Sequence, residues 1–136
     1  MNFMSKIKVI PCSGIGKVYG LMAREAMLRV SGELLPEETE TVCLAHIVTG
    51  EEDAKEKVEG FTCVTMDGCP KMCAAKNVAF VGGNVVKEFK SIDAMKEHRG
   101  IDAGTATFLT DDGWNIVDEL ADMVKKEILE IIEGEK

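Results

Sequence analysis

The sequence predicts a three-layer α/β domain, a mainly parallel open sheet with flanking helices. Short β-branched or apolar runs alternate with helix-forming stretches along the chain, the pattern of consecutive strand–helix units. One run, Thr41 to Val48, is continuous apolar sequence, as suits a strand buried on both faces. Glycine and proline stand where strands give way to helices, in Pro11–Gly16 and Asp67–Pro70, which is turn chemistry.

At 136 residues the expectation is a single domain over 1–136, long enough to bury roughly two-thirds of its surface. Apolar content of 46% and charged content of 29% are those of an ordinary soluble globular protein. No apolar run reaches the about 20 residues of a membrane span, so no membrane partner is expected. Met1 to Lys6 lacks the charged-then-apolar pattern of a signal peptide, and a cytoplasmic location is expected. A net charge of −8 argues against nucleic acid, since phosphate binding wants a basic face. A small-molecule or protein partner stays open.

Lys6 to Pro11 reads as the first strand, ended by proline, and Cys12-Ser13-Gly14-Ile15-Gly16-Lys17 as a glycine-rich turn. Val18 to Val30 is the first helix, closed by Ser31-Gly32. Strand, glycine loop and helix point backbone N–H groups at an anion. However, the next glycine after Gly16 is Gly20, which breaks the dinucleotide spacing, and Lys17 lacks the hydroxyl neighbour of a phosphate loop. Leu34 to Glu38 is a connection, and Thr41 to Val48 the second strand, with Cys43 and His46 in it or at its exit; taken alone, Cys43 reads as a core residue and His46 as a satisfied or solvent-facing ring. Thr49 suits an N-cap, with Glu51, Glu52 and Asp53 in the first turn of a short polar helix.

Phe61 to Met66 is the third strand, Asp67-Gly68 a turn, and Pro70 the first position of a helix, where its missing N–H costs nothing. Cys69 then falls at the N-cap and Cys73 one turn on. A thiolate there feels the positive end of the helix dipole, and spacing of four residues puts both sulfurs on one face, close enough to share an ion. Two small buried apolar side chains are the plainer alternative. Asn84 to Lys90 reads as an outer strand, and Ser91 caps a helix through Arg99, with His98 at the surface. Ile101 to Thr110 fits either a loop or a short strand. Asp111 or Asp112 caps the last helix, in which Val117, Leu120, Ala121, Val124, Ile128 and Ile131 form one packing stripe.

Ligands of open α/β sheets bind beyond the carboxyl ends of the strands. Cys12, Cys43 and the pair Cys69 and Cys73 follow or end three strands, which delivers four thiols to one edge. Around one ion they make a closed tetrahedral zinc site; four thiolates would equally hold an iron–sulfur cluster in a redox protein. A third possibility makes Cys12 a nucleophile, because its loop looks somewhat like those of low-molecular-weight tyrosine phosphatases and phosphotransferase-system B subunits. Phosphatase chemistry needs an arginine that closes the loop on phosphate, and the nearest, Arg24, is well into the helix. Cys63 lies inside its strand and is expected to be buried; it and His46 are the residues that would replace one of the four thiols.

Pro11-Cys12-Ser13-Gly14, Cys43 and Asp67-Gly68-Cys69-Pro70-Lys71-Met72-Cys73 resemble the DGC-domain family, described as zinc-binding and named for the tripeptide Asp67-Gly68-Cys69. The resemblance spans most of the chain. It implies that Cys12, Cys43, Cys69 and Cys73 are the chelating set and that Cys63 is extra to it, while giving no reaction, because the family's biochemical role is unassigned.

Overall fold

The computed structural model describes residues 6–11, 18–68, 73–105 and 107–134. Four strands, β1 (Ile7–Pro11), β2 (Thr39–Thr41), β3 (Thr62–Asp67) and β4 (Asn84–Lys90), form a wholly parallel sheet in the order β2-β1-β3-β4. Helix α1 (Val18–Arg29) joins β1 to β2, α2 (Leu44–Val48) and α3 (Glu52–Val58) lead to β3, and α4 (Cys73–Phe80) leads to β4. Helices α5 (Ser91–Met95) and α6 (Asp111–Gly134) follow.

The central strands β1 and β3 are buried almost throughout, so their successive side chains feed two separate cores. Ile7, Val9, Val64 and Met66 pack against α1, α5 and α6 in one layer. Ile10 and Cys63 pack with α2, α3 and α4 in the other. This is the three-layer architecture the sequence predicts. β4 is the outer strand expected; most of its residues are exposed, and Lys87, Glu88 and Lys90 discourage pairing with another edge. The predicted stripe of α6 is likewise observed, with Val117, Leu120, Ala121, Val124 and Ile128 buried and Ile131 packed at the margin. Among the described residues no helix is long and apolar enough to cross a membrane.

Five local expectations are corrected. Thr41–Val48 is not one strand: β2 ends at Thr41 and Leu44–Val48 is helical. Leu44 and Ile47, three apart, are the buried positions while Cys43, His46 and Val48 face solvent, a helical spacing that an unbroken apolar run conceals. Ser31-Gly32 does not close α1, which continues as a π-helical turn over Val30–Leu34, marked by Leu35 N–H donating to the Val30 carbonyl at 2.7 Å. Glu51, not Thr49, precedes α3, and the Thr49 hydroxyl turns back to the His46 carbonyl. α5 is a single short helix whose Ser91 caps nothing; its buried hydroxyl donates to the Tyr19 carbonyl at 2.6 Å. α6 is capped by Thr110, whose hydroxyl oxygen accepts the Gly113 N–H at 3.1 Å and donates to the Asp102 carbonyl at 2.6 Å. Asp111 and Asp112 instead sit in its first turn, where the dipole favours them.

Because all strands are parallel, Pro11, Thr41, Asp67 and Lys90 leave the sheet at one edge. The chain turns one way from β1 to β2 and the other way to β3 and β4. The reversal lies between β1 and β3, where such sheets leave a crevice for ligands.

Candidate metal centre

Two of the four candidate thiols are described. Cys43 is two residues past the end of β2, exposed, and its carbonyl accepts the Ile47 N–H at 3.3 Å, so it occupies the N-cap of α2. Cys73 is the first residue of α4 and also exposed. Both helices belong to the same layer and pack on one another; both begin at the carboxyl edge. The chain path therefore brings Cys43 and Cys73 to one edge and one layer. Cys12 and Cys69 lie outside the described residues, as does Pro70, so the N-cap and first-position expectations for Cys69 and Pro70 find no test. Cys12 is the residue after Pro11 in sequence and Cys69 the residue after Gly68. Their parent strands are neighbours, with Pro11 in register with Met66. Among the described residues no group of three or more histidine, cysteine, aspartate or glutamate side chains is placed to hold a metal.

The sequence signal missed what Asp67 and Gly68 do. Asp67 is not simply a turn residue: it is 1% exposed, and its two carboxylate oxygens accept the N–H groups of Ala74 and Ala75 at 2.7 and 3.2 Å. These donors belong to the first turn of α4, which has no partner for them within the helix. Asp67 thus caps α4 from the end of β3 and fixes the backbone that carries Cys73. Burial raises its carboxyl above the ordinary aspartate range, outweighing the opposing pull of the two N–H groups; Glu88 pushes it further up and Lys76 down.

Gly68 is required by close approach. A Cβ there would stand 2.6 Å from the Gly20 nitrogen and 2.7 Å from its Cα. The exit of β3 therefore lies directly against the first turn of α1, which the Ser91 hydroxyl also holds through Tyr19. Asp67, Gly68 and Ser91 together tie the starts of α1 and α4 and the end of β4 into one edge. The signal that could have found them is the pairing of Gly20 with Gly68, two glycines in elements that a doubly wound sheet sets side by side.

Cys63 behaves as expected of a residue inside a strand. It is fully buried, its thiol donates to the Phe61 carbonyl at 3.3 Å, and burial pushes its pKa up to about 11 against the pull of Lys8. At neutral pH it stays a thiol, a poor ligand and nucleophile. Alkylation of the native protein is expected to leave Cys63 unmodified, with labelling only after unfolding. Cys63→Ala should cost about 1–2 kcal/mol of packing; rapid native labelling, mapped by mass spectrometry, would show the burial to be wrong. His46 is exposed, with Nδ1 paired to Glu51. Arg24, in the second turn of α1, is also exposed.

The fold and its edge define a class: an open, doubly wound α/β domain with cysteines at the starts of helices along the carboxyl ends of its strands. The chain belongs to the DGC domain family, whose model matches residues 8–120. No curated protein and no solved structure matches it.

Proposed function

We propose that this protein binds one zinc ion through Cys12, Cys43, Cys69 and Cys73, and that the zinc site is either structural or the docking point of a small-molecule or protein partner. The observation that carries the reading is the parallel sheet, which directs three cysteine-bearing strand exits to one edge. The donor chemistry fits: Cys43 and Cys73 are reduced, exposed and set at helix starts, and four thiolates satisfy zinc's tetrahedral preference. Exposure of both thiols favours a site that a partner can reach over one sealed in the core. The proposal carries with it a cytoplasmic location, where thiols stay reduced, and a partner other than nucleic acid, given the charge of −8.

Protein purified in reducing buffer without chelator is expected to hold about one zinc per chain. Iodoacetamide should spare Cys12, Cys69 and Cys73 together in that protein and modify all three once a chelator has removed the metal. A visible absorption band in place of zinc would assign an iron–sulfur cluster instead. Chelator-independent labelling of Cys12 alone, blocked by phosphate, would make Cys12 the nucleophile of an enzyme and end the metal assignment.

A further inference from the structure

α1 runs back from the carboxyl edge, and its far end forms an open cleft with the first turn of α6. The cleft measures about 360 Å³ and is lined by Glu25, Leu28, Arg29, Gly32, Glu33 and Trp114. Gly32 lies in the π-helical turn, and a side chain there would meet nothing within 4 Å, so this stretch of wall is open. Such interruptions of an α-helix recur at functional sites. Leu28 and the Trp114 indole supply apolar walls and are 39% and 38% exposed.

The charges of the cleft are unequal. Arg29 is already engaged: Nη1 pairs with Asp118, Nε lies 3.7 Å from Glu33, and the guanidinium stands 5.7 Å from the centre of the Trp114 ring. An anion would have to displace those carboxylates. Half-buried Glu25 has no ion-pair partner among the described residues. Glu33 and Asp118 already match the one guanidinium and Glu25 is left over, in a chain of net charge −8, so the cleft selects a cation.

We propose that this cleft binds a lysine side chain presented by a partner polypeptide. The four-carbon stem lies along Leu28 and the indole, as long cationic side chains do on apolar surface. The ammonium reaches Glu25 and Glu33, the two carboxylates of the lining. Lysine fits better than arginine because the planar position over the ring is taken by Arg29. A tethered side chain fits better than a free amine because both apolar walls stay open to solvent, whereas small-molecule pockets bury most of their ligand. Net negative charge speeds the encounter with a basic segment.

Trp114 is the only tryptophan, so its emission reports the cleft directly. The full-length protein is titrated at fixed ionic strength with acetyl-Gly-Lys-Gly-amide, with the same peptide carrying norleucine for lysine, and with spermidine. Carbodiimide, which joins an amine to a carboxylate without a spacer, is applied in parallel and the cross-links are mapped by mass spectrometry. The expected result is a saturable emission change with the lysine peptide alone, with an affinity on the order of 1 mM, and cross-links at Glu25 or Glu33. The double variant Glu25→Gln, Glu33→Gln should keep the wild-type circular dichroism and bind at least about fivefold more weakly. Equal titration by the norleucine peptide, absence of saturation, or cross-links scattered over the acidic surface would overturn the proposal. Spermidine saturating the cleft at least tenfold below the peptide would assign it to a free polyamine and overturn the polypeptide partner.

Discussion

Gly68→Ala is expected to lower the stability of the protein by about 3 kcal/mol or more, the upper range for forcing a methyl group into a packed site. The methyl would land 2.6 Å from a backbone nitrogen and 2.7 Å from a Cα, both of Gly20. Backbone cannot rotate away as a flexible side chain can. Relief requires β3 or α1 to move, yet β3 is hydrogen-bonded to a strand on either side and α1 packs tightly on α6. Gly32→Ala is the matched control: its new methyl meets nothing within 4 Å, and in a helical turn alanine is the better residue by roughly 0.5–1 kcal/mol. Urea denaturation of the two variants checks this directly. A Gly68→Ala midpoint within error of the wild type would show that the two elements do not meet as described.

Asp67→Ala is expected to cost about 2–3 kcal/mol, because it strips the Ala74 and Ala75 N–H groups of their acceptors inside a buried turn. Asp67→Asn should cost only about 1 kcal/mol, since the amide oxygen can still accept and no charge need be buried. The pH dependence separates the two contributions. The folded-state pKa of Asp67 is raised by burial, so the folded protein holds this proton more tightly than the unfolded chain does. Stability of the wild type relative to the non-titrating Asp67→Asn is therefore greatest below the unfolded aspartate pKa. It falls as pH rises to the folded value and is constant above it. Urea midpoints of the two proteins measured across that window should converge on raising the pH; divergence would mean that the two N–H donors, not burial, dominate the carboxylate.

The part of the candidate site that was legible, Cys73 at the start of the helix that follows β3, is local information. Strand, turn and helix follow one another within a few residues, and the position of each cysteine relative to its strand exit can be counted along the chain. The parallel sheet then converts those counts into a shared edge. Cys63 was legible for the same reason: a residue in mid-strand points into a core when the strand is covered on both faces. The error at Thr41–Val48 was also local in origin, since Val42, Leu44 and Ile47 satisfy either an extended or a helical reading until something packs against them.

By itself the sequence determined the alternation of elements, hence a parallel sheet, the packing stripe of α6 and the cysteines' places along the chain. Only the tertiary structure decided why aspartate and glycine precede Cys69. Asp67 serves donors seven and eight residues further on, Gly68 makes room for Gly20, and Ser91 reaches a carbonyl 72 residues back. Periodicity and turn propensity report each residue's neighbours along the chain, whereas these three contacts exist only once separate elements have been packed side by side.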